Sequence, residues 1–213
     1  MYGQPTPPAY RIETERLVVR CWEPADAPRL KSAIDASLAH LLPWMPWARD
    51  EPQSVDAKME LLRQFRGRFD LGKDLVYGIF DRQDEREVVG GTGLHPRHEK
   101  HYPKVREIGY WVAEKHAGRG YATEAAAALV RVAFELEKLE LVEIHCEDEN
   151  TKSAAVARKL GFTEDALLRQ RIARRDGSFA ARRAFSLFAS EYGASPCARA
   201  RVEAFDALGR KCV

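Results

Sequence analysis

The sequence has few of the features that mark an exported, membrane-spanning or metal-stabilised protein. No apolar run approaches the roughly 20 residues that a helix needs to cross a bilayer. The N-terminal segment lacks the basic and apolar regions of a signal peptide. Cysteine is scarce, and neither CxxC nor Cys/His ligand spacing occurs around Cys21, Cys146, Cys197 or Cys212. These absences predict a cytoplasmic protein with no disulfide framework, no metal and no membrane partner.

An excess of one charge is also lacking, because the formal net charge of the 213-residue chain is only +2. Nucleic acid is therefore not an expected partner. Several arginines surround the last predicted hairpin, where they could steer an acidic protein or RNA, but the near-neutral charge favours a local solvated patch. They are Arg169, Arg171, Arg174, Arg175, Arg182 and Arg183.

One glycine-rich turn stands out from this background. His116 to Ala122 joins a strand-like run to a long segment with apolar residues at helical spacing. A helix start leaves about four backbone N–H groups unpaired and carries roughly half a positive charge. Gly118 and Gly120 remove the side chains that would keep an anion from these donors. Two glycines before a helix also occur as a plain connector, so the surrounding sequence must decide between the two interpretations.

The remaining pattern predicts one domain, a mixed sheet with helices packed on it. Strands are expected at 16–22, 75–80, 88–94, 105–113 and 141–146, and helices at about 24–38, 54–70 and 153–160. A hairpin of 162–173 and 182–190 should turn at Asp176-Gly177. Residues 41–47 should form an aromatic loop, and 199–208 could form a last helix. The domain is expected to span 11–190, with terminal extensions at 1–10 and 191–213.

Four pieces of the chain, in the right order, resemble the GCN5-related N-acetyltransferase (GNAT) family, in its RimJ/RimL-like branch. Glu13 to Arg20 is similar to the first-strand signature TxRLxLR, and Glu107 to Val112 to the fourth strand. His116 to Ala125 resembles the acetyl-CoA pyrophosphate loop, although the loop's usual Gln or Arg position falls at Lys115 or His116. Asn150 to Phe162 is similar to the family's N-x-x-S…K-x-G-F segment. Four motifs in register are far more specific than one.

The resemblance implies an α/β (mixed α+β) GNAT fold, a mostly antiparallel twisted sheet flanked by helices and splayed between its fourth and fifth strands. It further implies acetyl-CoA as co-substrate. The strand edge at Tyr110, Trp111 and Val112 would pair with the pantetheine arm. The loop would bind the pyrophosphate through backbone N–H groups, with Arg119 either contacting a phosphate or simply solvated. The loop residues are Ala117, Gly118, Arg119, Gly120, Tyr121 and Ala122.

The resemblance also implies catalytic roles. Glu107 is the candidate general base, acting directly or through water, and its alternative is an ordinary carboxylate in a surface ion pair. Ser153 is the candidate proton donor to the leaving thiolate, and its alternative is a helix-cap hydroxyl. Asn150 would cap the same helix or bond the pantetheine arm. A covalent route through Cys146 is disfavoured, because the acidic residues that follow it should raise the thiol pKa.

Two further sets of residues have a candidate role to compare with a structural one. Trp44 and Trp47 lie in the loop that borders the acceptor pocket in this family, where they would form a wall or only pack onto the sheet. His95, His98 and His101 lie in a loop-like segment without acidic or cysteine partners at ligand spacing, so they are interpreted as surface histidines.

The expected function is transfer of an acetyl group from acetyl-CoA to a primary amine by direct attack. The acceptor is a peptide N-terminal α-amine or a small amine. The sequence does not distinguish a protein acceptor from an antibiotic or metabolite amine. An α-amine with a pKa near 8 needs only a weak base, whereas lysine near 10.4 needs more help. The alternative is a non-catalytic acyl-CoA-binding module, and an edge strand could pair two copies into a homodimer.

Overall fold

Nine strands form one sheet in the part of the chain that the computed structural model describes, residues 8–97, 104–174 and 176–213. The strand order is β7-β8-β6-β5-β4-β3-β2-β1-β9, so β7 and β9 are the outer strands. The strands are β1 (Arg11–Glu13), β2 (Leu17–Cys21), β3 (Leu75–Asp81), β4 (Val88–Pro96), β5 (Val105–Val112), β6 (Leu141–Glu147), β7 (Thr163–Ala173), β8 (Phe179–Phe188) and β9 (Glu203–Phe205).

Helices cover both faces of the sheet. They are α1 (Ala27–Asp35), α2 (Leu38–Leu41), α3 (Val55–Asp70), α4 (Tyr121–Arg131), α5 (Thr151–Lys159) and α6 (Ala189–Tyr192). The larger core lies between the sheet and α4 and α5, where Leu129 and Val130 are fully buried. A second core packs α1 and α3 on the other face, around Phe80 and Leu62. None of the described helices is long and apolar enough to cross a membrane.

The sheet opens at one place, between β5 and β6. All other neighbouring strands are antiparallel, but β5 and β6 are parallel and pair only from Val105–Glu107 to Leu141–Glu143. β5 continues to Val112 with its other edge bonded to β4. One edge of β5 is therefore free of β6 beyond Glu107. This is the splay that the resemblance predicted between the fourth and fifth strands, shifted by one in number because β1 precedes them.

The structure differs from the predicted elements at three places. The helix expected at 24–38 breaks after α1, because Ser37 is buried and its hydroxyl accepts a hydrogen bond from the N–H of Glu114 at 3.0 Å. The predicted first strand is preceded by β1, which the sequence did not indicate. The helix considered for 199–208 is wrong, because β9 pairs with β1 and buries Ala204 opposite Ile12. The hairpin at Asp176-Gly177 is confirmed.

Candidate active site

The splay between β5 and β6 opens a cleft of about 360 Å³, called the splay cleft below. It is bordered by the end of β5, the turn before α4, the first turns of α5 and the loop after α2. Arg119 is not among its lining residues, since its side chain is exposed and its carbonyl accepts a hydrogen bond from Arg16 at 3.0 Å. The other residues predicted from sequence to bind the cofactor all line it: Tyr110, Trp111, Val112, Ala117, Gly118, Gly120, Tyr121, Ala122, Asn150 and Ser153.

The turn before α4 has the backbone conformation that only glycine adopts easily. Gly118 and Gly120 have φ angles of +77° and +80°, in the left-handed region. This conformation turns the chain sharply into α4, whose N-cap is Gly120. Within the described residues, no acceptor bonds the backbone N–H groups from Gly118 to Thr123. The turn therefore presents a row of free donors at a helix N-terminus, the arrangement that binds phosphate groups.

A hydrogen-bonded brace fixes this turn against the first strands. The Glu124 carboxylate accepts a hydrogen bond from the Thr14 hydroxyl at 2.6 Å and another from the backbone N–H of Arg16 at 2.9 Å. The guanidinium of Arg16 pairs with the same carboxylate at 2.6 Å and lies 4.5 Å from the ring centroid of Tyr121. Thr14 and Arg16 belong to the first-strand signature, so the brace explains physically why that signature accompanies the loop.

Replacing Glu124 with alanine is expected to destabilise the fold by about 1–3 kcal/mol. Buried Thr14 would keep only its longer hydrogen bond, 3.3 Å, to the Leu17 carbonyl, and the N–H of Arg16 would lose its acceptor. Urea unfolding of the variant measures this loss. Glu60→Ala is the matched control, since Glu60 is an exposed helical residue whose ion pair to Arg63 lies in solvent and is worth at most about 0.5 kcal/mol. Equal stability of the two variants would show that the brace contributes nothing.

The two residues at the family's Gln or Arg position both turn to Glu87. Lys115 Nζ lies 2.5 Å and His116 Nε2 lies 2.7 Å from the Glu87 carboxylate. Two hydrogen bonds hold the pKa of Glu87 below its usual range. The bond from Lys115 has the larger effect and the bond from His116 the smaller one. His116 is buried and also lines the splay cleft, whereas Lys115 is exposed. These side chains anchor the start of the turn to the residue that precedes β4.

Ser153 and Tyr110 meet across the splay cleft. Their hydroxyl oxygens are 2.9 Å apart. Asn150 caps α5 by accepting a hydrogen bond from the N–H of Ser153 at 3.1 Å, so the cap belongs to Asn150 and the Ser153 hydroxyl is directed to Tyr110. Burial raises the pKa of Tyr110 well above its ordinary value, which keeps its hydroxyl protonated. The sequence indicated Ser153 as proton donor on a helix that contains no tyrosine. In the structure a tyrosine from β5, Tyr110, lies beside that serine.

Cys146 lies close to this pair but as a packed thiol. Burial raises the pKa of the Cys146 thiol, which disfavours the nucleophilic thiolate form. The direction agrees with the sequence-based expectation, but the cause differs. Glu147 and Glu149, two of the acidic residues that were expected to raise that pKa, are paired with Arg174.

A second cavity of about 450 Å³ lies beside the splay cleft, on the side of α1 and α3. Met45, Tyr110 and Trp111 line both spaces, so the two meet at the end of β5. Trp47 lines the second cavity and packs edge-on against Trp111, with ring centroids 5.8 Å apart. Trp44 lines the splay cleft instead. Trp44 and Trp47 were predicted to border one pocket. They instead line two neighbouring cavities, Trp44 the splay cleft and Trp47 the second cavity.

Glu107 lies on β5 in a cluster of charged side chains. Its carboxylate is 3.1 Å from His145 Nδ1 and 3.3 Å from Arg97, and Arg97 also pairs with Glu143 at 3.1 Å. Burial alone would raise the pKa of Glu107, but the hydrogen bond with His145 and the nearby charge of Arg97 outweigh it and lower that pKa. Glu107 is not among the residues that line either cavity.

The sequence-based interpretation missed one pair in the second cavity. His95 Nδ1 lies 2.9 Å from the Asp74 carboxylate, and both residues line the cavity. His95 had been interpreted as a surface histidine, and His98 and His101 lie outside the described residues. A signal existed, because antiparallel pairing of Leu75 with Leu94 places the preceding Asp74 beside the following His95.

Comparison with known proteins identifies the class to which this fold and site belong. The family described as "Acetyltransferase (GNAT) domain" matches residues 16–163. YdaF of Bacillus subtilis (strain 168), named as a candidate ribosomal N-acetyltransferase, is 31% identical over 156 residues, which cover 71% of this chain and 80% of YdaF. The ribosomal protein uS5-alanine N-acetyltransferase of Escherichia coli (strain K12) is 27% identical over 162 residues, 74% of this chain and 80% of that protein.

A solved structure agrees at the level of the fold. RimL, a ribosomal L7/L12 α-N-protein acetyltransferase in complex with coenzyme A, superposes with a TM-score of 0.73 over 82% of this chain and 95% of that one, at 20% identity. The chain therefore belongs to the GNAT acetyltransferase family, in the branch that resembles RimJ and RimL. It is an N-acetyltransferase that uses acetyl-CoA, so the predicted family, fold and enzyme class are confirmed.

Proposed function

We propose that this enzyme transfers an acetyl group from acetyl-CoA, bound in the splay cleft, to the α-amine of a peptide or protein that enters from the second cavity. The observation that carries the proposal is the meeting of the two spaces at Tyr110 and Trp111, where β5 leaves β6. Separate binding spaces that share one short wall hold a donor and an acceptor close together, and this proximity lowers the barrier of a two-substrate reaction.

In this proposal the free N–H groups of the turn from Ala117 to Ala122 bind the pyrophosphate. The free edge of β5 at Tyr110, Trp111 and Val112 pairs with the amides of the pantetheine arm, as an added strand would. Asn150 and Ser153 border the same arm, and Arg119, exposed beside the turn, is placed to contact a phosphate from solvent. The residues fit this group, since the glycines of the turn carry no Cβ to block the donors and the RimL structure holds coenzyme A in the same fold.

The proposed chemistry is direct attack of a neutral amine on the thioester carbonyl of acetyl-CoA. Ser153, bonded to the Tyr110 hydroxyl, donates the proton that the leaving thiolate needs. This route uses no covalent intermediate on Cys146, whose raised pKa disfavours the thiolate. The amine must first lose its own proton to a base beside the second cavity. The resemblance places Glu107 in that role, directly or through water.

The acceptor is proposed to be an α-amine because of the names of two relatives. Enzymes named for acetylating ribosomal protein alanine and serine align with 74% and 60% of this chain. The second cavity suits a cationic chain end, since Asp50 and Asp74 line it together with the apolar walls of Trp47 and Trp111.

A screen of acceptors by free-thiol release tests this choice. Peptides with free N-termini are expected to release CoA at least about tenfold faster than aminoglycosides or polyamines at equal concentration. An α-amine loses its proton more easily than an alkylamine of a polyamine, and the apolar walls of Trp47 and Trp111 suit a peptide better than a polyhydroxylated aminoglycoside. N-terminally blocked copies of the same peptides are the control. Faster release with an aminoglycoside or a polyamine would replace the proposed acceptor by a small amine.

A further inference from the structure

The second cavity contains a hydrogen-bonded pair, His95 with Asp74, whose histidine has no role in the proposed function above. His95 lies near the end of β4, and Asp74 lies just before β3, the strand paired with β4. His95 Nδ1 is 2.9 Å from the Asp74 Oδ1 atom. The Asp74 side chain is 19% exposed and that of His95 is 41% exposed, so the carboxylate is held in the wall while the ring reaches the open space. With Nδ1 engaged, Nε2 is the nitrogen left for another partner.

The ring lies across a floor made of glycines. A Cβ added at Gly93 would come within 2.8 Å of His95 Nε2, and one added at Gly109 within 3.2 Å of the same atom. Any larger residue at Gly93 would displace the ring from this position. Gly109 precedes Tyr110 and Trp111, which line both cavities. Because these two glycines have no side chains, the His95 ring can lie on β5 with Nε2 over the strand that separates the second cavity from the splay cleft.

We propose that His95 is the general base that deprotonates the acceptor amine and that Asp74 is its positioning residue. The assignment rests on the proposed function, since it presupposes an amine in the second cavity. A carboxylate bonded to one ring nitrogen fixes the tautomer that leaves the other nitrogen as a proton acceptor. Both ends of this arrangement are present, with Asp74 behind the ring and the cavity in front of it.

The step balances with the groups already present. The ammonium of the acceptor gives one proton to His95 Nε2 and becomes a neutral amine. That amine forms the new C–N bond at the acetyl carbonyl, the C–S bond breaks, and the thiolate takes a proton from Ser153, which Tyr110 can re-protonate. The adduct loses its second ammonium proton to solvent as it collapses. Tyr110 regains from solvent the proton that it passed to Ser153, and the imidazolium releases its proton to solvent before the next turnover, so one proton is released for each amide formed.

Glu107 is less suited to this role. It is the cross-strand partner of His95 on β5, but its carboxylate is occupied by His145 and Arg97 and its pKa is lowered, which makes it a poorer proton acceptor. The cluster instead places a negative charge beside His95. The charged and titratable groups around the ring are thus Asp74, which precedes β3, and Glu107 with its partners Arg97 and His145. Asp50 and the paired Glu51 and Lys58 line the same cavity.

The test is the pH dependence of kcat/KM for a peptide acceptor in His95→Asn, an exchange that keeps a donor for Asp74 but removes Nε2. We expect kcat/KM near neutral pH to fall about 100-fold, within the range of a lost general base, and the Kd for acetyl-CoA to stay within about twofold. In the variant, kcat/KM should rise tenfold for each unit of increasing pH up to the pKa of the acceptor amine, near 8. Without His95, hydroxide and bulk water remove the proton from the acceptor ammonium. The wild type should level off at lower pH.

Four further variants make the outcome decisive. Asp74→Asn should lower kcat/KM less than His95→Asn and shift the acid limb of the profile, which a merely structural role would not do. Added imidazole should restore part of the activity of His95→Ala. If His95→Asn fails to fold by circular dichroism, His95→Gln takes its place. Wild-type kcat/KM in the folded histidine variants, together with a large loss in Glu107→Gln, would overturn the assignment in favour of Glu107. Failure of the wild type to acetylate any amine would instead overturn the proposed function, and this assignment with it.

Discussion

Replacing Gly120 with tryptophan should abolish measurable acetyl-CoA binding while leaving the fold largely intact. Gly120 is the N-cap of α4 at a φ of +80°, next to the free N–H groups of the turn. An indole there would occupy the space above those donors. Its Cβ would lie 3.6 Å from Arg16, an ordinary contact, so the main cost to the fold is the left-handed backbone, about 1–2 kcal/mol. Calorimetric titration should show the Kd rise by at least about 100-fold.

The matched control for this variant is Gly209→Trp. Gly209 has a φ of +74°, so the same substitution imposes the same backbone strain in the turn after β9, and an added Cβ there meets no atom within 4 Å. This control should bind acetyl-CoA like the wild type. Unchanged affinity in Gly120→Trp would remove the turn from the cofactor site, and equal loss in both variants would trace the effect to stability.

Removing the Ser153 hydroxyl should lower turnover much more than cofactor affinity. In Ser153→Ala the thiolate loses the donor that lies 2.9 Å from Tyr110, and we expect kcat to fall by about 10²-fold. The Kd for acetyl-CoA should change by no more than about threefold, because Asn150 still caps α5 through the backbone N–H of Ser153. Tyr110→Phe should lower kcat in the same direction, since the raised pKa of Tyr110 keeps a proton available to Ser153 in the wild type.

Ser32→Ala provides the comparison for this pair, because Ser32 is an exposed serine on α1. Stopped-flow measurement of CoA release separates chemistry from product release. Combining Ser153→Ala with Tyr110→Phe should lower kcat by about as much as the single serine variant, since the two hydroxyls act as one unit. A wild-type kcat in Ser153→Ala would restrict that residue to holding the end of Tyr110.

The features that could be predicted from the sequence are those set by short-range chemistry. The turn at Gly118 and Gly120, the start of α4 and the hairpin at Asp176-Gly177 each depend on residues whose backbone preferences are local. The apolar periodicity of the strands and helices gave the sheet and its helical layers. The four motifs then placed these elements in one fold and located the splay beside Tyr110.

The features that could not be predicted depend on residues far apart in the chain. The contact of Ser153 with Tyr110 joins α5 to β5, and the brace of Glu124 with Thr14 joins α4 to the first strands. Glu107 could be placed on a strand edge, but its lowered pKa depends on His145 from a neighbouring strand. β9 forms a strand because β1 offers it an edge, which local propensity at Ala204 does not indicate.

The most direct test of the account is a pair of peptides with the same sequence, each with one internal lysine, one with a free N-terminus and one with a blocked N-terminus. Each is incubated with the enzyme and acetyl-CoA, thiol release is followed, and the peptide is analysed by tandem mass spectrometry. We expect one acetyl group on the α-amine per CoA released from the free peptide, and release at the hydrolysis rate with the blocked one. Equal acetylation of both peptides on the lysine, or no acetylated peptide at all, would contradict it.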